Sequence, residues 1–182
     1  GGPRDIVTIQ YSKNGDKLWV DQYDGPASAD DYPASIALDI KGNVFIVGSS
    51  KGEMTSYDLV TMKYIGKEYD QWPSRFNNGS GNNWTNAMTI DQNGNVYIIG
   101  TDSSHYLIVK YDSTGVKQWS EEFGQSGSNA TGIAVDSSGH LYVTGYSIGL
   151  NNNLDYATLK YDASGNQKWV AWYNGTADDV DR

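Results

Sequence analysis

The side chains best suited to chemistry in this sequence are acids set in pairs, Asp30-Asp31 and Asp178-Asp179, together with Tyr32, Asn83, Trp84 and Asn129. Carboxylates and amides beside Tyr32 and Trp84 suit a sugar or a peptide, while Asp30, Asp31, Asp178 and Asp179 suit Ca²⁺, a hard cation that takes oxygen ligands. Loop solvation and edge packing are the plain alternative for the same residues. The turn Asp91-Gln92-Asn93-Gly94-Asn95 has part of a calcium loop but lacks its distal bidentate acid, so backbone capping is expected there. No catalytic residues are assigned, since the chain holds no Gly-rich phosphate loop, no nucleophile elbow and no paired-His metal motif.

Composition narrows the function further. The chain has 182 residues and a net charge of −9, the wrong sign for phosphate contacts, so nucleic acid is not an expected partner. Cysteine is absent, which removes disulfides, thiolate metal sites and thiol nucleophiles together. No run of about 18 apolar residues is present, so no helical membrane span is expected. Twenty-one glycines and fourteen tyrosines with few helix-forming runs predict many short strands joined by tight turns.

The elements that must position the acids and aromatics follow from a repeat. Tyr11/Trp19/Tyr23, Tyr64/Trp72/Phe76, Tyr111/Trp119/Phe123 and Tyr161/Trp169/Tyr173 share one internal spacing and recur about every 50 residues, a period typical of propellers and solenoids. Between them lie hairpins with an Asp-x-x-Gly turn: Ile36 to Asp39 with Gly42 and Gly48, Met88 to Asp91 with Gly94 and Gly100, and Ile133 to Asp136 with Gly139 and Gly145. Asp bonds the turn backbone and Gly accepts positive φ. These hairpins are strands A and B. Strand C runs into each Tyr, and strand D runs from each Trp to the following aromatic. Small residues in strand A, such as Ala37 and Ala134, suit the crowded innermost position of a blade. The C–D turn of the second unit has Glu68 where the others have Gly, which predicts a distortion. His105 and His140 each replace an Asp or Asn of the sister units, a pattern of surface substitution rather than of catalysis or metal binding.

Asp155-Tyr156-Ala157-Thr158-Leu159-Lys160-Tyr161-Asp162, Gly165 with Trp169, Asp30-Asp31-Tyr32, and Ile133 to Asp136 with Tyr142-Val143-Thr144-Gly145 resemble the bacterial seven-bladed β-propeller repeat, SBBP. The resemblance covers nearly the whole chain. It implies a secreted or surface-associated bacterial protein that uses the repeats as scaffold, and it supplies no catalytic residues. The runs from Tyr111 to Trp119 and from Tyr161 to Trp169 also look like the tryptophan-docking element of quinoprotein propellers. There the indole packs on the neighbouring blade and finds a partner for its N–H; stacking on sugars is the alternative use.

The expected fold is an all-β propeller of four-stranded antiparallel blades, open or partial, spanning 1–182 as a half blade over 5–27 and blades over approximately 33–78, 84–125 and 130–176. A propeller protects its edges by closing a ring, so this one is expected to need further blades of a longer chain or another copy. Ala177-Asp178-Asp179 matches Ala29-Asp30-Asp31 and suggests that another blade follows. The D–A and B–C loops share one rim, which aligns Asp31-Tyr32 with Asn83-Trp84 and Ser128-Asn129 and carries the candidate residues. The expected function is a non-catalytic scaffold binding protein or glycan there. The alternative is part of a lyase-like or glycosidase-like propeller enzyme with its active site in other blades.

Overall fold

The computed structural model describes residues 2–66, 68–79, 81–102, 104–149 and 152–175, with the backbone alone over 68–73. Among them the chain is all-β, with fourteen strands in four antiparallel sheets. The first sheet pairs β1 (Ile6–Tyr11) with β2 (Lys17–Tyr23). The second runs in order β3 (Asp31–Leu38), β4 (Val44–Lys51), β5 (Tyr57–Ile65), β6 (Glu68–Phe76). The third comprises β7 (Trp84–Ile90), β8 (Val96–Thr101), β9 (Tyr106–Tyr111), β10 (Lys117–Phe123), and the fourth β11 (Asn129–Val135), β12 (Leu141–Ile148), β13 (Leu154–Tyr161), β14 (Gln167–Tyr173). Strands A to D are thus found in the expected order, as an open partial propeller whose A strands lie side by side, β3 by β7 by β11.

The core lies between sheets rather than inside any one of them. Ile6 packs on Ile46, Val60, Met62 and Tyr64; Phe45, Val47 and Leu59 pack on Val96, Ile98, Leu107 and Val109; Tyr97, Ile99 and Ile108 pack on Leu141, Val143 and Leu159. Strand alternation sends successive residues to opposite faces. In β4 and β5 both faces meet a neighbouring sheet, so these strands are buried almost throughout, while β1 buries Ile6 and Thr8 and exposes Val7 and Ile9. Each buried aliphatic side chain contributes about 1.5–3 kcal/mol, and here that burial depends on the next sheet.

The repeated Tyr and Trp make a ladder across these interfaces. Trp19 stacks on Tyr64 of the second sheet at 5.3 Å between ring centroids, and Trp119 on Tyr161 of the fourth at 6.2 Å. The indole N–H of Trp119 donates to the carbonyl of Ala163, 3.2 Å away in the next sheet's C–D turn, as the docking pattern predicts, whereas that of Trp19 bonds Gln10 in its own sheet. Tyr64, Tyr111 and Tyr161 are buried and Tyr11, which has no sheet on its outer side, is exposed. At the other end of the arc Trp169 is 42% exposed.

Turns repeat with equal fidelity. The Oδ1 atoms of Asp39, Asp91, Asp112, Asp136 and Asp162 each accept the backbone N–H groups two and four residues on, at 2.8–3.1 Å. The glycine three residues after each Asp has φ between +79° and +91°, a region open to Gly without strain. The partial calcium loop at Asp91 is therefore a capped turn. A second set of glycines, Gly48, Gly100 and Gly145, lies opposite a bulge in strand A, where an added Cβ would overlap the carbonyl oxygen of Tyr32, Trp84 or Asn129. In the second sheet the expected C–D distortion is a shorter turn: Tyr64 pairs with Tyr69, against Tyr11 with Lys17 and Tyr111 with Lys117. A register shift between Thr61 and Lys63 absorbs the difference and restores the pairing of Leu59 with Phe76.

Two outcomes follow. Trp119→Ala removes an inter-sheet stack and bond and should cost roughly 2–4 kcal/mol, whereas Trp169→Ala, at an open face, should cost less than about 1 kcal/mol; urea unfolding of the two variants measures both. The turn acids set an acid limb. Asp112 is held below the ordinary value of 3.8 by the Thr114 hydroxyl, Asp136 by the His140 amide and Asp162 by the Lys168 ammonium. Because these native values are depressed, the stabilisation is full above about pH 4 and is lost as pH falls through them. Tm should drop on acidification in that range, and an Asp136→Asn/Asp162→Asn variant should show a flatter drop.

Candidate functional site

One rim of the arc is built by the D–A loops and the B–C loops, held at fixed height by a repeated tie. The backbone N–H of Asp31 donates to Arg4 O at 2.6 Å, that of Asn83 to Tyr57 O at 2.6 Å and that of Ser128 to Ser104 O at 3.2 Å. Asp31, Asn83 and Ser128 are all buried. The first residue of each aligned pair thus anchors strand A against the preceding sheet, and the second reaches the partly exposed rim.

The structure brings Tyr32 and Trp84 together and adds Tyr57. Tyr57 and Trp84 stack at 4.5 Å with 25° between planes, while Tyr32 sits 5.7 Å from Tyr57 and 5.6 Å from Trp84 at steep angles. All three are partly exposed. Asp30 borders the group: its Oδ2 accepts the Tyr32 hydroxyl at 3.2 Å and its Oδ1 accepts the Arg4 amide at 2.9 Å. The amide of Arg4 lowers the Asp30 carboxyl below its ordinary value, and desolvation followed by the Asp30 bond raises the Tyr32 phenol. This is an aromatic surface with a carboxylate at its edge, which sets apolar ring faces beside a hydrogen-bond acceptor. Tyr57 lies outside the aligned pairs. Its sequence signal is an aromatic where sister units carry Arg4, Ser104 and Leu154.

The other candidates lie apart from this surface. Asn129 belongs to the next interface, where its Oδ1 accepts the Asn86 amide at 2.6 Å and its Nδ2 donates to the Tyr146 hydroxyl at 3.3 Å. Asp31 turns inward, accepting the Gly25 amide at 2.8 Å, with its carboxylate near those of Asp5 and Asp24. Asp178 and Asp179 lie outside the described residues.

Two polar clusters on this rim escaped the pairwise alignment. Asp102 accepts the amides of Ser104 and His105 at 3.0 and 2.8 Å, and the His105 ring nitrogen Nδ1 lies 3.2 Å from Oδ1. Burial of Asp102 acts to raise its carboxyl, and these bonds outweigh it and hold the group below the ordinary value. Asn78 Nδ2 donates to both Asp102 and Glu122, at 3.1 and 2.8 Å, so His105 is part of a bonded network rather than an isolated surface group. The second cluster joins Asp5, at the approach to β1, with Asp24 and Asp31. It was illegible in sequence because its members come from two sheets and the loop between them.

Comparison with known structures agrees with the architecture. A protein of unknown function from Dyadobacter fermentans aligns with TM-score 0.53 at 12% identity, over 98% of this chain and 50% of that one. A structure described as the eukaryotic initiation factor aligns with TM-score 0.51 at 10% identity, over 94% of this chain and 43% of that one. A fucose lectin from Kordia zhangzhouensis, solved with methyl-fucoside, aligns with TM-score 0.39 at 20% identity, over 78% of this chain and 96% of that one. The chain spans half or less of the first two, and at such identities the likeness concerns fold alone. Comparison with curated proteins finds no match. The model of the SBBP β-propeller repeat matches residues 22–53 and 118–154. Each matched stretch runs from strand D across the rim loop and the A–B hairpin to the approach to strand C, so over these two stretches the chain is similar to the SBBP β-propeller repeat.

Proposed function

We propose that this chain is a non-catalytic scaffold of a secreted or surface-exposed bacterial protein, and that it binds a glycan on the rim formed by Tyr32, Tyr57 and Trp84. The observation that carries the reading is the convergence of three partly exposed rings from the starts of β3, β5 and β7, with the Asp30 carboxylate beside them. An aromatic face removes the C–H side of a sugar from water, and an adjacent carboxylate accepts its hydroxyls. The exposed outer sides of β1–β2 and of the fourth sheet fit further blades, of a longer chain or another copy, and leave the rim open.

Screening the purified chain on glycan and peptide arrays, with turnover assays on each hit, tests this. Binding of a glycan without turnover is expected. Trp84→Ala and Tyr57→Ala should each weaken it about tenfold, the effect of about 1.4 kcal/mol, while Trp169→Ala, an exposed aromatic elsewhere, should leave it unchanged. Peptide binding alone, or hydrolysis or lyase turnover of a glycan, would overturn the reading.

A further inference from the structure

The interface between the first two sheets contains an acidic pocket whose counterpart one sheet on is neutralised by an arginine. Register identifies the counterparts: Gln22 pairs with Val7 as Arg75 pairs with Val60, and each Val stands four residues before the repeated Tyr. Asp5 therefore corresponds to Asp58, Gln22 to Arg75 and Asp24 to Asn77, while Asp31 corresponds to Asn83 by its place at the start of strand A.

In the second set every oxygen of the acid is answered. Arg75 Nη2 donates to Asp58 Oδ2 at 3.0 Å and Asn77 Nδ2 to Asp58 Oδ1 at 2.6 Å, so one carboxylate meets one guanidinium and an amide. In the first set Gln22 still donates to Asp5 Oδ2, but Asp24 stands where Asn77 donates and has no N–H to give. Asp5 Oδ1 is accordingly buried with no hydrogen-bond partner. Asp31, only 2% exposed, also leaves Oδ1 buried and unpartnered. Asn83 Oδ1 is unpartnered too, but it carries no charge. Oxygens of Asp5, Asp24 and Asp31 all lie within 4.8 Å of one another, and among the described residues no Lys, Arg or His forms an ion pair with them. Arg75 is committed to Asp58, Ser50 and Tyr23.

A buried carboxylate without a cation is costly, and beside Asp31 the partly buried Asp5 and the exposed Asp24 add repulsion to its lost hydration. We propose that Asp5, Asp24 and Asp31 form a binding site for one divalent cation, with calcium preferred, that takes the place Arg75 holds at the next interface. Three carboxylates supply up to about six oxygens, within the six to eight that calcium accepts, and their flexible geometry suits it better than the strict octahedron of magnesium. The bound ion would tie β1, the D–A loop and β3 together. Asp30 is not a ligand, since its carboxylate serves Tyr32 and the Arg4 amide.

Calorimetric titration of the chain with CaCl₂ after EDTA treatment and dialysis, against MgCl₂ and against NaCl of equal ionic strength, tests the site. The expected result is one calcium bound with Kd on the order of 0.1–1 mM, a rise in Tm with calcium above that with matched NaCl, and weaker binding of magnesium. Asp24→Asn/Asp31→Asn, which copies the amides of the second interface, should weaken binding at least tenfold. Gln22→Arg supplies the cation covalently; it should raise Tm in EDTA and lose the calcium response. Absence of calcium binding by the unaltered chain overturns the proposal even if a variant fails to fold, and so does a calcium response that survives in either variant.

Discussion

The packing of one sheet's face onto the next is the constraint from which the rest of this structure follows. No sheet here encloses a core of its own: β4, β5, β8 and β9 bury residues on both faces, and each face is completed by a neighbour. A residue's burial is therefore decided by whether a sheet exists beyond it. Tyr64, Tyr111 and Tyr161 are buried and Tyr11 is exposed, though all four hold the same place in the repeat. The exposure of Val7, Ile9 and Val20 at one end and of Trp169 and Tyr173 at the other has the same origin.

Because each interface is secured by aliphatic packing and by the backbone bond into the start of strand A, with a Trp-on-Tyr stack at the first and third, the rim above is free to vary. Three successive interfaces use this freedom differently. The first gathers Asp5, Asp24 and Asp31, the second sets Asp58 against Arg75 and Asn77, and the third links Asp102, His105, Asn78 and Glu122. At the opposite end the turns share one geometry, with the shorter C–D turn of the second sheet as the exception. There five aspartates cap their turns with one geometry, and a serine, Ser12, holds the sixth in the same way at 3.1–3.2 Å. Turn geometry is a local problem with one good solution, whereas an interface pocket needs only to balance its own charges and hydrogen bonds.

Much of the fold was legible in the sequence because its signals are local. Asp-x-x-Gly located the three A–B hairpins, and the spacing of Tyr, Trp and a second aromatic located hairpins C–D. Glu68 flagged the irregular turn, but its remedy, a register shift at Thr61–Lys63 in the facing strand, is a property of the pair of strands. At the candidate site, Tyr32 and Trp84 were legible through alignment. Tyr57 was not, because it opens β5 outside the aligned pairs and meets the ring of Trp84 only when the second and third sheets pack.

By itself, then, the sequence determined the repeat, the strand order and the turns, all of which rest on backbone geometry and contacts a few residues apart. Tertiary structure alone decided which copies of equivalent residues are buried, which rim groups meet and how their charges balance. Asp30 and Asp31 are adjacent in the chain, yet one faces Tyr32 and the other the interface with Asp5 and Asp24. That difference is set by the neighbouring sheet, whose loop and strand supply the atoms each carboxylate faces.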